Sequence, residues 1–229
     1  MSAYFWILSL SFFGPFILSF DKKVAYYKSY FAVFLATFTI AIPFIIWDIY
    51  FTGNKIWGFT PEYLSGIYIY NLPIEECLFF VIVPFACLFI HQVLKAYFPN
   101  YKGVKLSHFF AFYFVLSGFI FGITNLDNWY TASACIITSL LTLGIYFVKK
   151  MPWYRNFVFT YLVALIPFII VNGILTGAIT DKPIVWYSEE HIMGFRIYTI
   201  PFEDLYYNYD LLLPIVGIFE FVKSKLSAN

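Results

Sequence analysis

Two pairs of adjacent carboxylates carry the chemistry that this sequence can do. Glu75 and Glu76 stand in "YNLPIEECLFF" (70–80), and Glu203 and Asp204 in "YTIPFEDLYYN" (198–208), each pair at the doorway of a long apolar run. Acids in such a place have an ordinary explanation. Pro at the first helical position with an acid two residues on is a common helix start, because Pro gives up no hydrogen bond there and the acid meets the positive end of the helix dipole. Capping does not require the G-x-x-I-Y that precedes both pairs, in "GIYIYNLPIEE" (66–76) and "GFRIYTIPFED" (194–204). Nor can both acids of a pair share one role: neighbours on a helix point about 100° apart, so one faces the bundle while the other meets water or a basic partner. Carboxyls at the edge of hydrocarbon are costly, and they are groups that give and take protons.

The elements that must position these acids are membrane helices. The chain is 62% hydrophobic and 12% charged, with a mean hydropathy of +0.78, so its solvent is lipid. Runs long enough to span about 30 Å of hydrocarbon fall near 3–20, 30–51, 74–94, 106–123, 129–148, 157–179 and 205–222. The first does not read as a cleavable signal, since no Lys or Arg precedes it and Asp21-Lys22-Lys23 follows. Of the 14 Lys and Arg residues, 11 fall in the 1–2, 3–4 and 5–6 connections and the C-terminal tail, and 3 on the other side. That asymmetry predicts a multi-pass protein of the cell's inner membrane, N-terminus outside and C-terminus cytoplasmic.

The acid motif lies within a longer repeat. "PFIIWDIYFTG" (43–53) aligns with "PFIIVNGILTG" (167–177) at an offset of 124, and the acid blocks align at 128. The predicted fold is therefore an all-α integral membrane protein of seven transmembrane helices, two parallel three-helix repeats (1–98 and 129–229) joined by a linker helix in 99–128. Both acid motifs then share the outer face. The near-zero net charge leaves no footprint for nucleic acid. Cys77, Cys87 and Cys135 and His91, His108 and His191 have no metal-ligand spacing, and no glycine-rich nucleotide motif occurs, so neither a metal nor a bound cofactor is expected. His91 and His108 read as interfacial. Gly118-x-x-x-Gly122 and Gly173-x-x-x-Gly177 fit close helix packing.

"WD" (47–48), "PIEECLFF" (73–80), "NGILTG" (172–177) and "GFRIYTIPFEDLYYNYDLLLP" (194–214) resemble the membrane-integral lycopene cyclases of carotenoid biosynthesis, in their fused form. The resemblance covers most of residues 1–222 and implies non-redox cyclisation of the acyclic ends of lycopene, taken from the lipid phase, to β-rings. Such a reaction protonates a terminal C=C, lets an internal alkene attack the tertiary cation, then removes a proton. It needs a buried acid, a dry cavity reached from lipid, and rings that stabilise cations without trapping them. Glu75, Glu76, Glu203 and Asp204 are the candidate acids and bases. Phe79, Phe80, Tyr198, Tyr206, Tyr207 and Tyr209 are candidate aromatic lining, against ordinary packing and an interfacial belt. Asp48 and Asn172, equivalent in the repeat, are expected to support the acids. Arg196, where the first repeat has Tyr68, is expected to keep Glu203 or Asp204 ionised and so leave Glu75 as the acid. A retinal protein is disfavoured, because 205–222 holds no Lys. A proton-coupled transporter and a carotenoid-end hydratase remain as alternatives.

Overall fold

The computed structural model describes residues 2–226; Met1 and 227–229, the outermost residues of the two expected repeats, lie outside that range. Seven α-helices occur in it: α1 (Ala3–Leu18), α2 (Tyr30–Gly53), α3 (Ile74–Tyr97), α4 (Val104–Thr124), α5 (Trp129–Thr142, continued by a π-helical segment, Leu143–Val148), α6 (Tyr154–Leu175) and α7 (Glu203–Leu226). Six of these are long and apolar enough to cross a membrane, counting α5 with its π-helical extension; α1 is apolar but only 16 residues long. Sixteen residues rise about 24 Å, short of the hydrocarbon thickness.

The order helix, helix, strand, 3-10 turn, two-strand hairpin, helix occurs on either side of α4. Before it stand α1, α2, β1 (Trp57–Phe59), β2 (Tyr68–Ile69), β3 (Leu72–Pro73) and α3; after it stand α5, α6, β4 (Val185–Tyr187), β5 (Arg196–Ile197), β6 (Ile200–Pro201) and α7. β1 and β4 pair antiparallel across the two halves, Gly58 opposite Trp186. A Cβ on Gly58 would lie 2.3 Å from the Trp186 ring, so any side chain there would have to displace the indole.

The helices are dressed for hydrocarbon. On α2, Phe31, Leu35, Phe38, Ile42 and Ile46 form an exposed stripe, while Ala32, Ala36, Thr37, Ala41 and Asp48 are buried. Small and polar residues among the buried ones, beside Val33, Phe44 and Phe51, with a large apolar stripe outside, suit helices that pack by close approach in a solvent as apolar as Leu. α4 meets α5 in this way: a Cβ on Gly118 would fall 2.3 Å from Ser139 Oγ, and one on Gly122 2.5 Å from Ile136. The Gly173–Gly177 pair does not act likewise. Gly173 has room for a Cβ, and Gly177 (φ +102°) lies in the turn after α6.

Candidate active site

Each acid pair begins a helix directly after a hairpin. Tyr70 and Tyr198, both at φ +59°, form the hairpin bends. Asn71 Nδ2 donates to Ile49 O at 2.9 Å, and Thr199 Oγ1 donates to Gly173 O at 3.3 Å, pinning the bends to the ends of α2 and α6. Pro73 and Pro201 end the hairpins, leaving α3 and α7 to open on acids.

The first acid of each pair is a clamp. Glu75 Oε1 accepts from Ser2 Oγ (2.5 Å) and from the Ser65 N–H (2.7 Å); Glu203 Oε1 accepts from Thr131 Oγ1 (2.5 Å) and the Met193 N–H (2.6 Å). Each ties its helix start to the loop ten residues back and to the start of α1 or α5. Both carboxylates are fully buried.

The second acids turn inward, with Asp48, onto a cavity of about 50 Å³. Glu76 Oε2 accepts from Tyr4 (2.6 Å), Asp48 Oδ1 accepts from Tyr207 (2.7 Å), and the Glu76 and Asp48 carboxyls are within hydrogen-bonding reach of each other. Asp204 is bound differently, accepting from Tyr130 (2.5 Å), Asn172 Nδ2 (2.6 Å) and Tyr187 (3.1 Å). Desolvation, with the Asp204 and Glu76 charges close by, pushes the Tyr187 phenol well above its usual range, so it stays a donor. Trp57, Phe59, Phe79 and Phe168 complete the wall, and no Lys or Arg lines it among the described residues. The rings stand at contact distance: Trp57 to Tyr130 5.0 Å, Trp57 to Tyr207 5.8 Å, Tyr130 to Tyr187 5.7 Å.

A second, apolar cavity of about 400 Å³ adjoins the first, sharing Phe79, Phe168, Asn172 and Asn208 with it. It runs between α1, α3 and α6 along Ile7, Leu10, Val83, Ile90, Pro167 and Ile170. Leu10 is 74% exposed and Ile170 61%, so this space opens sideways, where lipid tails would lie.

Several expected placements change. Arg196 does not reach either acid of its pair; its guanidinium donates to Glu189 Oε1 (2.6 Å) and Thr199 O (2.9 Å), because it sits on β5, on the loop side of the hairpin. Tyr198 is 80% exposed at the hairpin bend. Phe80 packs on Phe44 and Phe79 in the core, Tyr206 donates to Ser117, and Tyr209 bonds Thr142 and Tyr154, so of the expected lining only Phe79 and Tyr207 reach the carboxyl cavity. His91 is fully buried between Thr160 and Glu220. The sequence reading missed Tyr4, Tyr130, Tyr187, Trp57 and Asn208. A usable signal existed for two of them: Tyr4 and Tyr130 are each the second residue of the first helix in their half.

Comparisons with known proteins show the family of the chain. A family model described as lycopene cyclase matches residues 1–94 and 127–222. Similar curated proteins are fungal bifunctional lycopene cyclase/phytoene synthases, from Gibberella fujikuroi (33% identical over 75 residues, 33% of this chain and 12% of that protein) and Leptosphaeria maculans (30% over 84 residues, 37% and 13%). The chain thus spans about an eighth of the length of the curated relatives it matches. No solved structure matches the chain.

Proposed function

This chain belongs to the lycopene cyclase family, and from that premise we propose that it cyclises the acyclic ends of lycopene to β-rings, in carotenoid biosynthesis, at the carboxyl-lined cavity. One observation carries the reading: three buried carboxyls on an aromatic wall, with no basic side chain among the described residues, adjoin an apolar space that opens sideways.

The proton inventory assigns the roles. Two carboxyls in contact share a proton rather than both ionise, so Asp48 and Glu76 form the acid. Asp204, facing three donors, acts as a carboxylate. A polyene end enters along α1, α3 and α6. The Asp48–Glu76 pair protonates its terminal C=C, giving a tertiary cation. The internal alkene attacks, forming the ring C–C bond and moving the positive charge into the ring. The same pair, now deprotonated, removes the ring proton, so the site ends as it began and no electrons are exchanged. Asp204 balances the passing positive charge, and the Trp57, Tyr130 and Tyr207 rings attract it by about 0.5–2 kcal/mol each without offering a nucleophile. No bound cofactor is required by these steps.

The same proposal includes the topology: seven spans with α1 as a short first one, two parallel repeats linked by α4, and the acid-bearing ends outside the inner membrane. The recurring order of elements, the matched Glu75 and Glu203 clamps and the one-sided Lys/Arg count support it. Expression in a lycopene-producing bacterium tests the activity. β-Ring carotenoids, seen by chromatography, are expected; hydroxylated acyclic products would point to hydration, and unchanged lycopene from a membrane-inserted chain would refute both.

A further inference from the structure

A third cavity, of about 430 Å³, lies at the end of the bundle opposite the acids, between the start of α4, the π-helical segment Leu143–Val148 and the start of α6. Lys150 and Arg155 line it, with His108 hydrogen-bonded to Tyr146. Neither cation has a carboxylate partner among the described residues; Arg155 Nε donates only to the Pro152 carbonyl, at 3.4 Å. The sequence places no acid in the segments that form this cavity. No Asp or Glu occurs between Glu76 and Asp127 or between Asp127 and Asp181, although Lys95, Lys102, Lys105, Lys149, Lys150 and Arg155 fall in those stretches. The opposite wall is apolar: Phe112 and Phe147 pack edge to face at 5.1 Å, and Phe112 is 61% exposed. π-Helical turns in α-helices often mark functional sites; here the segment carries Tyr146 and Phe147 to the cavity.

We propose that this pocket holds the headgroup of an anionic glycerophospholipid. Its phosphate lies between Lys150 and Arg155, near the positive end of α4, and its acyl chains run down Phe112 and Phe147 into the bilayer. Charge complementarity selects the occupant: a pocket with two unpaired cations and a greasy wall fits a molecule that is anionic at one end and apolar at the other.

The test uses the full chain, delipidated in detergent and titrated with phosphatidylglycerol while bound lipid is counted by native mass spectrometry. One tight phosphatidylglycerol site is expected, which phosphatidylcholine does not fill. The double variant Lys150→Gln, Arg155→Gln should weaken it about 30-fold, on the order of fivefold per charge. Lys22→Gln with Lys28→Gln, which removes as much charge from the 1–2 connection, should leave it unchanged. The variant Lys150→Arg with Arg155→Lys keeps both charges and should keep the lipid, which separates lost binding from lost folding. Equal binding of phosphatidylcholine, or undiminished binding by the Gln double variant, would overturn the proposal. Displacement by inorganic phosphate at comparable concentration would overturn the lipid assignment in favour of a soluble anion.

Discussion

The two acid-bearing helix starts have the same clamp and opposite inner chemistry. Glu75 and Glu203 each accept one hydroxyl and one main-chain N–H, at distances that agree to 0.1 Å. One helical position later the halves part. Glu76 meets another carboxyl, Asp48, whereas Asp204 meets the amide of Asn172, which occupies the place equivalent to Asp48. Replacing one side-chain oxygen by NH2 turns a partner that shares a proton into one that donates a hydrogen bond. In the proposed mechanism this difference between the halves supplies an acid on one wall and a fixed negative charge on the other.

Variants can break this distinction, beginning with the second acids. Glu76→Gln and Asp204→Asn should each cut ring formation by about 10³-fold, within the usual range for losing a positioned acid or base, with the chain still membrane-inserted. Next is Asp48→Asn, expected to cost on the order of 10²-fold in the rate of β-ring appearance. If Asn172→Asp recovers part of that loss, the acid pair has been moved to the second half, and the asymmetry rests on these two positions. Tyr187→Phe should cost about tenfold by stripping Asp204 of one donor. Because the Tyr187 phenol is pushed up, rate against pH in the parent should show no loss attributable to it below about pH 10.

Smaller effects check the clamps. Glu75→Gln and Glu203→Gln should lower stability by similar amounts, about 1–3 kcal/mol in a detergent unfolding assay, while the folded fraction keeps most of its activity. A loss of turnover from Glu75→Gln as deep as from Glu76→Gln would erase the division between clamp and reacting acid. Arg196→Ala should change stability by less than about 1 kcal/mol and leave the rate alone, since its partner Glu189 is 68% exposed.

The acid motifs, the recurrence of the blocks and the helix positions were legible because apolar runs and offsets near 124 and 128 survive in the letters. The inward-facing acid was not. Successive residues differ by about 100°, and what turned Glu75 and Glu203 away from the cavity was a main-chain N–H supplied by Ser65 and Met193. Arg196 misled for a related reason: as the first residue of β5 it bonds Glu189 of the loop rather than the acids, which its spacing from Glu203 does not reveal. Tyr187 reaches Asp204 only because β4 folds back over the cavity to pair with β1, a contact at a separation of about 130 residues that no local pattern encodes.

That pairing sets how far the two halves can differ. The Thr60 N–H donates to Ile184 O and the Ser188 N–H to Ile56 O, on either side of the Gly58–Trp186 crossing. A seam sewn with main-chain atoms is indifferent to most substitutions along it. Side chains can therefore differ between the halves, as Asp48 does from Asn172, without unpairing the strands, whereas a side chain at Gly58 would have to displace the Trp186 ring.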